Sequence, residues 1–260
     1  MLLQIDVGNT RLKWRAVGAV DGSTLASGFL NRADSEVNAA LFASLFAVLR
    51  HEFGDSFGVD GVQVASVAGA GFDCELADWA SIRLGVAAAF AVVTERASGV
   101  LVGYDDPGLL GVDRWLAVLA ATKVSNYKKV LVVDCGSAIT VDVLDEGVHR
   151  GGYIVPGLRL MVGALFSDTS QVKVAALAAG EGLGRNTSDA VNSGVLLMAV
   201  SFIEGVSRRY CSDAVSEWLL LLTGGDAQVV ASKLDLGVAT KVSESLVLDG
   251  LSLSELVLKR

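Results

Sequence analysis

The chain has 260 residues, 52% of them hydrophobic, enough to bury a substantial core as one large domain or two small ones. A formal charge of −8 excludes a nucleic-acid surface, which needs clustered Lys and Arg, so a nucleotide partner would have to be met through Mg²⁺. Cys74, Cys135, Cys211, His51 and His149 lack the spacing of a metal centre or disulfide framework, and no apolar run approaches the roughly 20 residues that span a bilayer, so a reduced, cytoplasmic protein without membrane attachment is expected.

Residues 1–30 read as a β-meander of three strands, LLQIDVG, RLKWRAV and TLASGFL, joined by Gly-Asn-Thr and Asp-Gly-Ser turns. A helix is predicted over 35–53 with Val37, Leu41, Leu45 and Val48 on one face, then a strand at VQVASV, a helix over 73–84 and a strand at AAFAVV. A loop from Tyr104 leads into the helix DRWLAVLAATK. The second half repeats the plan, with strands VLVVDCG, AITVDVL and GGYIVPG around the turn Asp145-Glu146-Gly147. The helix RLMVGALF, a long helix over 188–210 and the buried strand WLLLLTGG follow. A meander succeeded by alternating helix and strand, twice over, indicates an α/β protein of two related domains with mixed sheets covered by helices. Two prolines and no Ser/Gly-rich stretch leave no linker, so the boundary is expected at a helix-to-strand junction, dividing the chain into 1–123 and 124–260.

Asp6 and Asp134 each end an apolar strand, and each is followed at the second position by glycine and then by an amide or hydroxyl residue. An unpaired charge is costly to bury at such a place, so both turns are candidate ligand sites. In Asp6-Val7-Gly8-Asn9-Thr10-Arg11-Leu12-Lys13, Gly8 permits close backbone approach and Asn9 and Thr10 supply donors. Lys13 offers a point charge to a terminal phosphate, and Asp6 a carboxylate for Mg²⁺, held directly or through water. Taken alone the segment is equally an ordinary Gly-Asn hairpin. Its repetition at Asp134-Cys135-Gly136-Ser137 favours the ligand reading, in neither the P-loop nor the dinucleotide mode, whose signatures are absent. Strand alternation turns Cys135 away from Asp134 into the core as a packed thiol.

The loop Tyr104 to Arg114, which contains Pro107 and Gly111-Val112-Asp113-Arg114, is the third constellation. Asp113 is suited to take a hydroxyl proton while the Arg114 guanidinium forks onto an anionic group; the alternative is a first-turn carboxylate stabilised by the helix dipole. Trp14, Trp79, Trp115 and Trp218 read as packing, and His51 and His149 as solvated. The 188–210 helix carries Val191, Val195, Met198, Phe202 and Val206, more than a covered surface helix needs, which points to a homodimer; the alternative is burial against its own sheet.

Taken together, IDVGNT at the start, Tyr104 with Pro107 and GVDR at 111–114, DCGSAIT at 134–140, GGYIVPGL at 151–158 and GRNTSDAVNSG at 184–194 resemble type III pantothenate kinases in the right order over nearly the whole chain. The resemblance implies the acetate kinase, sugar kinase, Hsp70 and actin superfamily, with two duplicated ribonuclease H-like domains and an ATP cleft between them. It implies ATP-dependent phosphorylation of pantothenate to 4'-phosphopantothenate, the first step of coenzyme A biosynthesis. Asp6 through Lys13 would form the first ATP phosphate loop, Asp113 would be the proton acceptor, and Tyr104, Gly111, Val112, Asp113, Arg114 and Thr187 would bind pantothenate. Asp134 would hold K⁺ or NH₄⁺, and Ser137 would touch ATP where the family usually has threonine. Gly224-Gly225-Asp226 is either an adenosine-side turn by analogy or a plain loop. Thr187 would enter the partner's site in the homodimer. Members of this family were first described as transcriptional accessory factors, and the superfamily also includes other phosphotransferases and polyphosphate phosphatases. Intact Asp6, Asp113, Arg114 and Asp134 argue against the first alternative, and the Tyr104 and GVDR segments against the second.

Overall fold

A computed structural model describes residues 1–32, 37–166 and 182–259. β1 (Leu2–Val7) is buried along nearly its whole length, as a strand with neighbours on both edges and layers on both faces must be. Its hairpin partner β2 (Arg11–Val17) alternates half-buried and buried residues, and β3 (Thr24–Asn31) alternates exposed and half-buried ones. β4 (Gly61–Ser66) and β5 (Ala88–Val92) add in parallel on the other side of β1, and β13 (Glu255–Leu258) pairs antiparallel with β5. The order is β13-β5-β4-β1-β2-β3.

Helices α1 (Asn38–Phe53) and α2 (Ala70–Trp79) cover this sheet with Leu41, Phe42, Leu45 and Leu49 and with Phe72, Leu76 and Trp79. Phe42 meets the Phe72 ring edge-on, centroids 5.3 Å apart. Each such large side chain contributes about 1.5–3 kcal/mol relative to exposure. Val37, expected on the buried face, is exposed just outside the helix, and 35–36 of the expected helix lie outside the described residues. α2 starts three residues earlier than expected, and one wider turn, Ala80–Leu84, continues it.

In the second unit β8 (Lys129–Cys135), β9 (Ala138–Asp145) and β10 (Val148–Pro156) form the expected meander. The tight turn between β9 and β10 places Glu146 and Gly147 at positive φ, as a two-residue hairpin turn of matching twist requires. β11 (Trp218–Thr223) lies parallel to β8, and β12 (Ala239–Val242) lies parallel to β11. The duplication is visible in topology: β5-β4-β1-β2-β3 and β12-β11-β8-β9-β10 are the same arrangement of a meander and two parallel additions. All four tryptophans are buried. His149, expected in solvent, is fully buried beyond the hairpin turn, with Nε2 2.7 Å from Asp142 Oδ1; the carboxylate supplies the partner an imidazole needs away from water.

Among the described residues this unit also has the helices α4 (Leu158–Phe166), α5 (Thr187–Cys211) and α6 (Ala227–Ala231). α5 is long and apolar enough by length and composition alone to cross a membrane, but Val195, Leu196, Ala199, Val200, Ile203 and Val206 pack into the unit's own core. Val195 and Val206 therefore leave the stripe expected at a dimer contact; the exposed apolar residues of this helix include Leu197 and Met198, at 66% and 55% exposure.

Met1–Gly99, Tyr104–Ala120 and Val247–Arg260 make one compact unit, and Val100–Gly103 with Ala121–Leu246 the other. The expected division at 123/124 falls inside α3 (Val112–Val124). It would also assign the tail to the second domain, whereas α7 (Leu246–Gly250) is followed by a segment whose β13 extends the first sheet. The two-residue strands β6 (Arg96–Ala97) and β7 (Val100–Leu101) lie near the crossing, and β7 pairs with β10 at Val148.

Candidate active site

The register of β1 against β2 sets Asp6 opposite Lys13, with Nζ 4.0 Å from Oδ2 and the aspartate largely buried. Gly8 N closes the turn onto Arg11 O at 3.0 Å, and Arg32 N reaches Thr10 O at 2.9 Å. The Arg32 side chain donates to Gly8 O at 2.7 Å and stacks 4.7 Å over the Phe72 ring. Beside it, at the end of β4, Ser66 Oγ donates to Asp73 Oδ1 at 2.5 Å. The ammonium of Lys259, from the C-terminal segment, pairs with the same buried carboxylate and lies 4.7 Å over Phe90. Arg32, Asp73 and Lys259 were not singled out from sequence, because none stands near the Asp-Gly turn in the chain and no local spacing links them to it.

In the loop before α3 the structure gathers Tyr104, Gly111, Asp113 and Arg114. Asp106 caps a single turn over Pro107–Leu109 through Gly108 N at 2.9 Å, and Gly111 O receives Trp115 N to open α3. Asp113 lies in the first turn of the helix, half-buried rather than exposed, and its Oδ1 accepts Arg114 N at 2.8 Å. A Cβ on residue 111 would lie 2.6 Å from that same oxygen, so glycine is what allows the carboxylate to fold back there. Arg114 is buried, its Nη1 2.8 Å from Tyr104 Oη and its guanidinium carbon 5.6 Å from the Tyr104 ring centre. Tyrosine thus fixes the arginine's plane, which a bidentate contact to a carboxylate requires.

The other Asp-Gly turn lies in the second unit. Asp134, the last residue but one of β8, lies opposite Thr140 on one side and Thr223 on the other. Gly136 N closes the turn onto Ala138 O at 3.0 Å, Gly157 N donates to Ser137 O at 2.9 Å, and Asp226 N donates to Cys135 O at 3.0 Å. The loops carrying Gly157 and Gly224 therefore press on the Asp134 turn. The Cys135 thiol is fully buried and pushed up to about 12, first by desolvation and then by the charges of Asp134 and Asp226. It is a packed thiol, as expected, and no nucleophile at neutral pH.

Thr187 occupies a different setting, as the first residue of α5 behind the cap Asn186, whose side chain accepts Asp189 N at 2.9 Å. A groove of about 780 Å³ runs from Arg185 and Thr187 along Ala190, Val191, Gly194 and Met198.

Two mixed sheets flanked by helices, each with an Asp-Gly turn at the end of its first strand, define an α/β protein of duplicated architecture. The structure of a ROK family glucokinase from Streptomyces griseus in complex with glucose and AMPPNP superposes with a TM-score of 0.51 at 11% identity, covering 96% of this chain and 97% of that one. A protein from Campylobacter jejuni described under the Baf family of transcriptional activators superposes at 0.58 with 20% identity, over 96% of this chain and 95% of that one. At such identities both likenesses concern the fold alone. The chain belongs to the type III pantothenate kinase family: the family's model matches residues 2–209. A type III pantothenate kinase from Chromohalobacter salexigens is 37% identical over 235 residues, covering 89% of this chain and 79% of the relative.

Proposed function

We propose that this chain transfers the γ-phosphoryl group of ATP to the primary hydroxyl of pantothenate in the cytosol, as the first step of coenzyme A biosynthesis. Family membership supports the activity, and the observation that carries the reading to residues is the Tyr104–Arg114 constellation, which a phosphatase of the same fold would not need. Asp113 would accept the hydroxyl proton, and Tyr104, Gly111, Val112 and Arg114 would hold pantothenate, with the fixed guanidinium on its carboxylate. Asp6 through Lys13 would meet the ATP phosphates, and Ser137 would touch the nucleotide. The transferred group is not held covalently by the protein in this scheme, so positioning and charge neutralisation carry the catalysis. A coupled assay of ADP release with pantothenate tests the reading, and absence of pantothenate-dependent ADP release would defeat it.

The donor sets fit the two cations such chemistry needs. Asp6 offers a largely buried carboxylate at the phosphate turn, suited to Mg²⁺ directly or through water. Asp134 stands close to the Cys135 carbonyl, with Asp226 also near that residue, and carboxylate and carbonyl oxygens are donors that suit K⁺ or NH₄⁺. A monovalent ion there would offset the repulsion between carboxylate and phosphate. Activity is therefore expected to require K⁺ or NH₄⁺ in addition to Mg²⁺; full activity with tetramethylammonium as the only monovalent cation would remove Asp134 from this role.

A homodimer through α5 completes the proposal. Leu197 and Met198 are exposed on this helix, and Met198 lines the groove that starts at Thr187, so a partner covering this face would meet both. Sedimentation should show a dimer, and Met198→Glu should shift it to monomer. Mixing inactive Asp113→Asn and Thr187→Arg subunits should restore part of the activity if Thr187 serves the partner's site, whereas no recovery despite proven subunit exchange would defeat sharing.

A further inference from the structure

The carbonyl groups of the first turn are held from behind by the protein. Val7 O accepts Val67 N at 3.1 Å, Thr10 O accepts Arg32 N at 2.9 Å and Arg11 O accepts Gly8 N at 3.0 Å. Gly8 O accepts Arg32 Nη1 at 2.7 Å, and the same nitrogen lies 3.5 Å from Asn9 O. Phosphate is attracted by N–H groups and repelled by carbonyl oxygens, so a backbone turn that meets it must direct its oxygens elsewhere. The partners of Val7 and Arg11 come from the adjoining strand end and from the turn itself. Thr10 O is met by the backbone of Arg32, one step beyond the Arg11–Asn31 pair of β2 and β3, as the ladder would continue; Gly8 O, further into the turn, is met by that residue's side chain. Phe72, stacked 4.7 Å under the guanidinium, keeps that side chain from swinging out. The guanidinium also brings a positive charge directly behind the apex, where it favours an anion on the other face.

We infer that Arg32 is a positioning residue for nucleotide binding: by holding Gly8 O and lying near Asn9 O it sets the two peptides that follow Gly8, turning the Asn9 and Thr10 N–H groups toward the ATP phosphates. The inference rests on residues 6–13 being the ATP phosphate turn. Arg32→Ala keeps the backbone bond to Thr10 O but releases the Gly8 carbonyl, and is expected to weaken ATP binding about 10- to 50-fold, the usual loss for a charge-assisted hydrogen bond, with the KM for pantothenate unchanged. Arg32→Lys, able to hold a single carbonyl without the planar stack, should fall between.

The test is calorimetric titration of Mg-ATP into the full chain as wild type, Arg32→Ala, Arg32→Lys and Lys13→Ala, with both KM values and a melting temperature for each. Selective loss of ATP affinity in both Arg32 variants, partly restored to Arg32→Ala by millimolar methylguanidinium, supports the positioning role. A purely structural role would lower the melting temperature while leaving ATP affinity of the folded fraction intact, which overturns it. Wild-type ATP affinity in Arg32→Ala beside weakened Lys13→Ala overturns the role of Arg32 and leaves the phosphate turn standing. Wild-type affinity in both removes the turn from ATP binding, and the inference falls with it. Should Arg32→Ala fail to fold, Arg32→Lys carries the same comparison.

Discussion

Asp113→Asn is expected to lower kcat about 10²- to 10⁴-fold, the contribution of a positioned general base, while ATP affinity and melting temperature stay near those of the wild type. The substitution separates basicity from geometry. The amide keeps an oxygen that can accept Arg114 N, now at 2.8 Å from Oδ1, and it has the same shape in the space that Gly111 leaves open. What it loses is the negative charge that takes a proton from the attacking hydroxyl. A neutral amide also gives up the favourable interaction of a first-turn carboxylate with the helix N-terminus, a surface effect of about 0.3–1 kcal/mol, too small to account for a hundredfold loss of rate. Single-turnover measurement at saturating ATP and pantothenate would isolate the chemical step. A kcat near that of the wild type would leave Asp113 only its role at the helix start.

The parts legible in sequence were those with a short-range physical signature. Alternation within β2 and β3 and the continuous burial of β1 follow from residues two apart, so the meander could be read without partners. Asp6 and Asp134 stood out because a charge at the end of an apolar strand needs compensation, and the matching five-strand arrangements show that this resemblance extends to the topology. Long-range features were hidden. Arg32 reaches Gly8 across 24 residues, Lys259 pairs with Asp73 from the far end of the chain, and β13 carries no distinctive pattern of its own. α5 shows a subtler limit: its sequence is apolar on more than one face, so periodicity could count its hydrophobic residues but not say which ones the unit covers. Val195 and Val206 proved to be core and Leu197 surface. The nearness of His149 to a turn points to solvent, whereas its partner Asp142 lies on the neighbouring strand, out of reach of any local pattern.

Ala in place of Gly224 should lower the unfolding free energy by about 2–4 kcal/mol and weaken nucleotide binding, because positive φ and overpacking each cost on the order of 1–3 kcal/mol. Gly224 sits at φ +95, and a Cβ there would lie 2.4 Å from Asp134 Oδ1 and 2.5 Å from Cys135 O. The carboxylate could turn aside, but only by leaving the place that makes it a candidate cation ligand; the carbonyl cannot, since Asp226 N holds it. Gly157→Ala should be at least as damaging, because its Cβ would meet only backbone, 2.2 Å from Gly136 O and 2.6 Å from Ser137 O. Gly205, in α5 with no atom within 4 Å of its Cβ position, supplies the contrast. Alanine there should leave the fold intact and raise stability by about 0.5–1 kcal/mol through helix propensity alone. Urea denaturation of the three variants, with Mg-ATP titrations alongside, measures both effects. Equal stability of Gly224→Ala and the wild type would show that the Asp134 turn and the Gly224 loop are not held against each other, and the case for a single cation and nucleotide site built from these two loops would go with it.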